Sequence, residues 1–375
     1  MKRTYLYLKN KPVLEIEDYV CRILDYDLLP VSLRYKGVNF DDVMHGWTES
    51  RSLSIGRTNA KKILAGFGIS QSNPYIAAKL FHFVSLTDCY WIKEEGEQIV
   101  WEDVSLFSNR LERTVASTAL MGVQGYFKDH IQDGRTAIKP KLHTPELTAQ
   151  GMSAKAWIKE EDGIWLYKIG KKELAASRIL DALGIPHVKY EEAPEELIIT
   201  LADEKHRNKI RSAKEKVVKS KIITSEKRAI VSWEEFQMYC AYREEDEFSY
   251  VKSRHPYAYY SMQIADYILG NEDRHGANWG FFMDNDTGNL GELYPLMDHD
   301  QGFSDEEDIL SQTSEKKETL KEAALNAVRL SDWGIDYEAV LRMEQPEELS
   351  REQWEGVKER TRCLIQEIHN DSAKR

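Results

Sequence analysis

A chain of 375 residues exceeds a single domain of ~150 residues, so two or more packing units are expected. With 42% apolar and 30% charged residues, it is neither a disordered segment, a collagen-like repeat nor a disulfide scaffold. The 51 Lys and Arg against 63 Asp and Glu leave a net charge of −12, which disfavours general binding to nucleic acid or anionic membrane.

The longest uncharged stretch, Ile63 to Ala78, has 16 residues and includes Gln71, Ser72, Asn73 and Pro74. It falls short of the ~20 apolar residues of a membrane span. The opening residues, from Met1 to Asp18, lack the apolar core of a signal peptide. Cys21, Cys89, Cys240 and Cys363 lie far apart without a CxxC pair, which predicts reduced thiols, no disulfide and no structural zinc. A soluble cytoplasmic enzyme is the expectation.

In chain order, Thr4–Leu8 and Val13–Ile16 read as strands. Asn59–Gly66 reads as a helix stopped by Gly, and a helical run from Tyr75 to Val84 starts after a cap at Asn73 or Ser72. Tyr90–Ile92 and Ile99–Trp101 flank a polar segment and predict a hairpin. No chemistry is assigned to this region. From about residue 140 the pattern changes. Lys155–Lys159 and Ile164–Ile169 are strands around a turn ending in Asp162-Gly163. A helix over Glu173–Leu183 ends at Gly184 and Pro186. Val188–Tyr190, Leu197–Leu201 and Val217–Thr224 are strand candidates.

Residues 205–228 hold ten basic residues against Glu215 and Glu226. Such a stripe suits nucleic acid or a phosphorylated substrate, or a solvated helix face followed by a strand. Beyond Trp233 the pattern is mainly helical, with a buried helix over Tyr257–Leu269 and amphipathic helices over 315–330 and 336–369. Ser331-Asp332 is read as a cap pair between the last two.

The chemistry concentrates in the Gly-bounded loop Gly270-Asn271-Glu272-Asp273-Arg274-His275-Gly276-Ala277-Asn278-Trp279-Gly280. An apolar run, Trp279–Met283, follows, and then a second strand candidate, Leu293–Met297, delivers Asp298, His299 and Asp300. Phosphoryl transfer needs a carboxylate to orient and deprotonate the acceptor, and an amide oxygen and a second carboxylate to hold Mg²⁺. Asp273, Asn278 and Asp298 supply that set. Arg274 suits either phosphate contact or bracing of the loop. Asp266 is read as a partner of loop backbone groups, and Trp279 and His299 as structural.

These loops resemble the catalytic and metal-binding loops of the HipA-like serine/threonine kinases, some of which are toxins of toxin–antitoxin pairs. The likeness spans residues ~140–330. The resemblance implies an α+β, bilobal protein-kinase-like fold with a small strand/helix lobe over 136–225 and a large helical lobe over 226–375. An appended N-terminal α+β subdomain of unknown role would occupy 1–135. It implies Asp273 as catalytic base, Asn278 and Asp298 as Mg²⁺ ligands, Lys168 on the α- and β-phosphates, and Glu173 as its ion-pair partner. A place in the first turn of a helix also suits Glu173 on dipole grounds alone. Gly151-Met152-Ser153-Ala154-Lys155 resembles the family's phosphate loop, where small residues let backbone N–H groups approach phosphate. A serine of that loop is an autophosphorylation site in the family, which points to Ser153, with Thr148 as the alternative. The adenine hinge is expected within Val217–Ile222. ATP and Mg²⁺ follow as substrate and cofactor, with a Ser/Thr-bearing protein as acceptor, an antitoxin-like partner, and neither membrane nor nucleic acid bound alone. The Asp-Arg-His-x-x-Asn order is similar to phosphoinositide kinases too, so a lipid or small-molecule alcohol stays open as acceptor. So does a nucleotide-binding regulator without transfer activity, for which residues 205–228 are the only support.

Overall fold

The fold is that of a computed structural model, which describes residues 3–17, 20–34, 40–70, 73–128, 142–306 and 308–373. In chain order the elements are β1 (Thr4–Leu8), β2 (Lys11–Glu17), β3 (Val20–Ile23), α1 (Phe40–Glu49), α2 (Ala60–Phe67), α3 (Pro74–Leu80), β4 (Tyr90–Glu94), α4 (Trp101–Val104), α5 (Arg113–Met121), β5 (Lys155–Glu160), β6 (Gly163–Ile169), α6 (Lys172–Leu183) and β7 (Tyr190–Glu192). They continue with α7 (Glu195–Leu201), α8 (Glu204–Ser212), β8 (Val217–Lys221), β9 (Arg228–Ser232), α9 (Trp233–Arg243), α10 (Glu247–Arg254), α11 (Pro256–Leu269), β10 (Gly280–Asp284), β11 (Leu290–Leu293), α12 (Leu320–Leu330), α13 (Tyr337–Arg342) and α14 (Arg351–Ser372). The sheets run β3-β2-β1-β4, β5-β6-β8-β7 and β11-β10-β9.

Two compact units emerge, neither contiguous in sequence. The first comprises Met1–Ile169, Glu192–Ile230 and Phe282–Gly291. Its main core joins α2 and α5 (Ile63, Leu64, Phe67, Ala116, Leu120) to strand residues Ala156, Ile158, Tyr167 and Val217. The helices of the N-terminal region therefore cover one face of the β5-β6-β8 sheet, so the segments 1–135 and 136–225 share apolar packing. Of the sequence-expected boundaries, the one at 135/136 lies outside the described residues. The second unit comprises Gly170–Glu191, Val231–Phe281 and Glu292–Arg375. Here α6 is joined to the following helices by Asp336 N–H donating to Leu183 O (3.2 Å) and by Arg178 bonding the buried Glu348 carboxylate at 3.0 Å.

Local chemistry accounts for most boundaries. Asn73 caps α3 by accepting the Ile76 N–H, with Pro74 at the first position. Ser232 with Glu235, Thr319 with Glu322 and Ser350 with Gln353 form capping boxes. Several expectations are corrected. Leu197–Leu201 is helical, because Pro194 opens α7 and Glu195 and Glu196 occupy its first turn. Residues 90–101 form no hairpin. β4 pairs with β1, from Thr4 opposite Glu94 to Leu8 opposite Tyr90, while Asp103 accepts the Val100 N–H and starts a helical turn. α2 continues through Gly66, where a Cβ would meet the Phe127 ring at 2.6 Å, and stops at Gly68. The helical run after Asn73 ends at Leu80, because His82 and Phe83 adopt positive φ; the alternative cap Ser72 lies outside the described residues. The strand expected over Leu293–Met297 lies mostly earlier, at Leu290–Leu293, although Leu296 bridges His187. The span 336–369 breaks into α13 and α14 around Pro346, which a helix interior cannot hold. Ser331 ends α12, and Asp336, not the Ser331-Asp332 pair, caps α13.

Candidate active site

The loop after α11 is built around one buried ion pair. α11 closes at Gly270, which takes the left-handed conformation. One turn earlier, the fully buried Asp266 carboxylate accepts Arg274 Nη2–H at 3.0 Å, Arg274 Nε–H at 3.2 Å and Asn271 Nδ2–H at 2.9 Å. Its partners are thus side chains rather than the loop backbone groups expected from sequence. From its other edge, Arg274 Nη1 donates to Asn278 O (3.2 Å) and to Met297 O. One guanidinium thus joins the helix, the loop 271–278 and the residue preceding Asp298. Burial alone would lower the Arg274 pKa, but the charge and hydrogen bonds of Asp266 outweigh it and hold it above the ordinary value.

That brace places the three candidate residues of the second unit. Asp273 follows Asn271 on the loop. Its carboxylate is 46% exposed, with His275 Nε2 at 4.0 Å. Asn278 Nδ2 donates to Asp273 O at 3.0 Å, which orients the amide oxygen as a free acceptor. Asp298 has φ +63°. Asp tolerates this region better than most residues. The next residue, His299, gives its N–H to the Glu173 carboxylate at 3.1 Å, and its Nδ1 lies 3.7 Å from the same oxygen. Both side chains are buried. Lys172 on the same helix donates to Gly302 O at 2.9 Å, so α6 holds the 298–302 segment at two points. Trp279 is core, stacked on Trp233 with centroids 4.1 Å apart. Gly280 is required next, since a Cβ would lie 2.1 Å from Val231 O.

The first unit carries the remaining candidates. Strand register places Lys155 directly opposite Lys168 across β5 and β6, which puts two ammonium-bearing side chains on one sheet face. Lys168 is only 6% exposed. Gly151 has φ +88°, and a Cβ there would lie 2.6 Å from Lys155 Nζ, so the lysine folds back over the loop that contains Met152 and Ser153. Five of the ten basic residues of the stretch 205–228 pair with acidic residues outside it. Arg207 and Arg211 pair with Glu204, Arg211 with Glu195, Lys216 with Glu192, Lys219 with Glu160 and Lys221 with Asp162. It is a solvated helix face followed by a strand.

Asp273, Asn278, Asp298 and Glu173 therefore share the second unit, and Gly151, Ser153, Lys155 and Lys168 the first. Sequence reasoning did not anticipate Asn271 or the link from Glu173 to His299. The Asp266–Arg274 spacing across a helix end was the available signal for the brace. Among the described residues no group of three or more His, Cys, Asp or Glu could hold a metal ion, all four cysteines are free, and no helix is long and apolar enough to cross a membrane.

The sheets of the first unit and the helices around the braced loop of the second make an α+β fold. In particular the chain has the fold of HipA. The structure of Shewanella oneidensis MR-1 HipA, solved with HipB and operator DNA from that toxin–antitoxin system, covers 98% of this chain and 97% of its own, with 12% identity and a TM-score of 0.50. The Helicobacter pylori proinflammatory kinase CtkA covers 58% of this chain and 94% of its own, with 14% identity and a TM-score of 0.38. No protein-family model and no curated protein matches the sequence.

Proposed function

We propose that the chain is a HipA-like, ATP- and Mg²⁺-dependent kinase that phosphorylates a Ser or Thr hydroxyl of a protein. The observation that carries this reading is the Arg274 brace. It ties the carbonyl of Asn278 to that of Met297, and so holds an amide oxygen and the Asp298 carboxylate on neighbouring segments beside Asp273. Asn278 and Asp298 are hard oxygen donors that fit Mg²⁺, which takes its other ligands from phosphate and water. When bound, Mg²⁺ neutralises charge on the transferring phosphates.

In this reading Asp273 accepts the proton of the acceptor hydroxyl. The acceptor oxygen bonds the γ-phosphorus as the bond to the bridging oxygen breaks, and ADP leaves. The half-exposed Asp273 carboxylate is open to an incoming side chain. Lys168 and Lys155 offset phosphate charge, the Gly151–Lys155 loop supplies backbone N–H groups, and β8 is the adenine hinge. Glu173 on α6 receives the His299 N–H and so holds the Asp298 segment. A cytoplasmic location, a toxin role and an antitoxin-like partner belong to the same reading. The Asp-Arg-His-x-x-Asn order weighs little for a lipid or small-alcohol acceptor, since Arg274 is buried in the brace. The deciding test is transfer of labelled γ-phosphate in a cell lysate, with the labelled species identified by mass. A phosphorylated Ser or Thr is expected. A labelled small molecule would transfer the assignment to the second class, and no Mg²⁺-dependent transfer would leave a regulator.

A further inference from the structure

The N-terminal region has no chemistry of its own, yet one of its segments lies against the glycine loop. Several hydrogen bonds connect residues 52–58 to residues 146–155, all within the first unit. Thr58 N–H donates to Met152 O at 2.8 Å. Gln150 Nε2 donates to Ser52 O. The Arg57 guanidinium donates to Glu146 O (3.1 Å), ahead of the loop, and to Lys155 O, at its end. Gly56 leaves room for Met152, whose Cε would lie 2.6 Å from a Cβ there.

The segment is itself anchored at both ends. Arg51 pairs with the buried Asp88 carboxylate and donates to Phe83 O at 2.9 Å. Asn59 Nδ2 donates to Ala119 O at 3.1 Å. Arg57 is 2% exposed, and its Nε has no hydrogen-bond partner. Burial pushes its pKa down to about 10, with the Glu146 charge opposing the shift, so it is charged at neutral pH in a place that penalises charge. An apolar residue would pack there more cheaply, but it could not hold the carbonyls of both Glu146 and Lys155.

We propose that residues 52–58 are a positioning element for the glycine loop, with Arg57 as its fixed point. The chain before β5 then sets where the loop's N–H groups and Lys155 stand relative to the nucleotide phosphates. This rests on the reading of Gly151–Lys155 as a phosphate loop. Arg57 touches no substrate; it acts through the loop backbone.

Calorimetry on the full chain with MgATP and with adenosine separates the cases. Arg57→Gln is expected to weaken MgATP binding roughly tenfold or more, as misplacement of positioned groups does, while adenosine binding stays unchanged. A general loss of structure would weaken both. Gly151→Ala, which strains the loop directly, is the control. If it weakens MgATP binding and Arg57→Gln does not, the positioning role is overturned and the phosphate loop stands. If neither variant affects MgATP, the phosphate-loop reading itself fails. Should Arg57→Gln not fold, Gln150→Ala removes one tether at an exposed site. It is expected to speed amide exchange over 150–155 and to weaken MgATP a few-fold, roughly, by the same argument; no change in either measurement overturns the proposal.

Discussion

In the loop 271–278 a buried ion pair between Arg274 and Asp266 does the holding, whereas the loop 150–155 is held by hydrogen bonds to its backbone from the distant segment 52–58. The first arrangement cannot shift without leaving a buried charge uncompensated, which confines Asp273, Asn278 and Asp298 to one geometry. The second is tethered at Met152 O by Thr58 N–H as well as at its ends, while the Met152 side chain is 63% exposed. Under the proposed function, a loop that orients a base and a metal would benefit from the former, and one that admits and releases phosphates from the latter.

The largest effect is expected where the rigid loop meets chemistry. Asp273→Asn keeps the shape and removes the basic oxygen, so turnover should fall by about 10²–10⁴ while MgATP affinity holds. Asp298→Asn should instead weaken MgATP more than ATP measured with EDTA. Binding titrations with and without Mg²⁺ check the pair; full activity in the first variant, or unchanged MgATP affinity in the second, removes that residue's assignment.

Next is the brace itself. Asp266→Ala strands the Arg274 charge and should destabilise the fold by about 3–5 kcal/mol, read from urea unfolding. A loss below about 0.5 kcal/mol, the size expected of surface changes such as Gln150→Ala, would erase the contrast between the two loops. Lys168→Ala removes one cation from the phosphates and should lower the rate roughly a hundred-fold; wild-type turnover would show that its place opposite Lys155 has no part in transfer.

The smallest effect concerns pH. Burial raises the Glu146 pKa above its ordinary 4.5, despite bonds from Thr144 and the Trp157 N–H. The folded state therefore holds this proton more tightly than the unfolded one. The resulting stabilisation is full below 4.5 and is lost as the pH rises through the raised value. Glu146→Gln should flatten that slope in melting curves across acidic pH. An unchanged slope would mean that the ionised carboxylate is tolerated next to Arg57.

Much of the fold was legible because its signals are local. The Asp162-Gly163 turn marked the β5–β6 hairpin, Gly184 and Pro186 marked the end of α6, and the apolar run 257–269 marked α11. Some misreadings passed over local signals, such as Pro194 ahead of α7 and Pro346 within the span 336–369. Others turned on a distant partner, since Tyr90–Glu94 carries no sign that its partner strand is Thr4–Leu8.

The candidate site divides in the same way. Residue type and short-range spacing in the sequence offered Asp273, Asn278 and Asp298 as the proposed set for phosphoryl transfer, and the family resemblance added Lys168 and the Gly151 loop. Only the tertiary structure decided what holds them. The bond from Arg274 to Met297 spans 23 residues, that from Glu173 to His299 spans 126, and that from Arg57 to Lys155 spans 98. Contacts so far apart leave no periodicity or spacing in the chain, since they are set by where packed elements place their side chains and not by local backbone geometry.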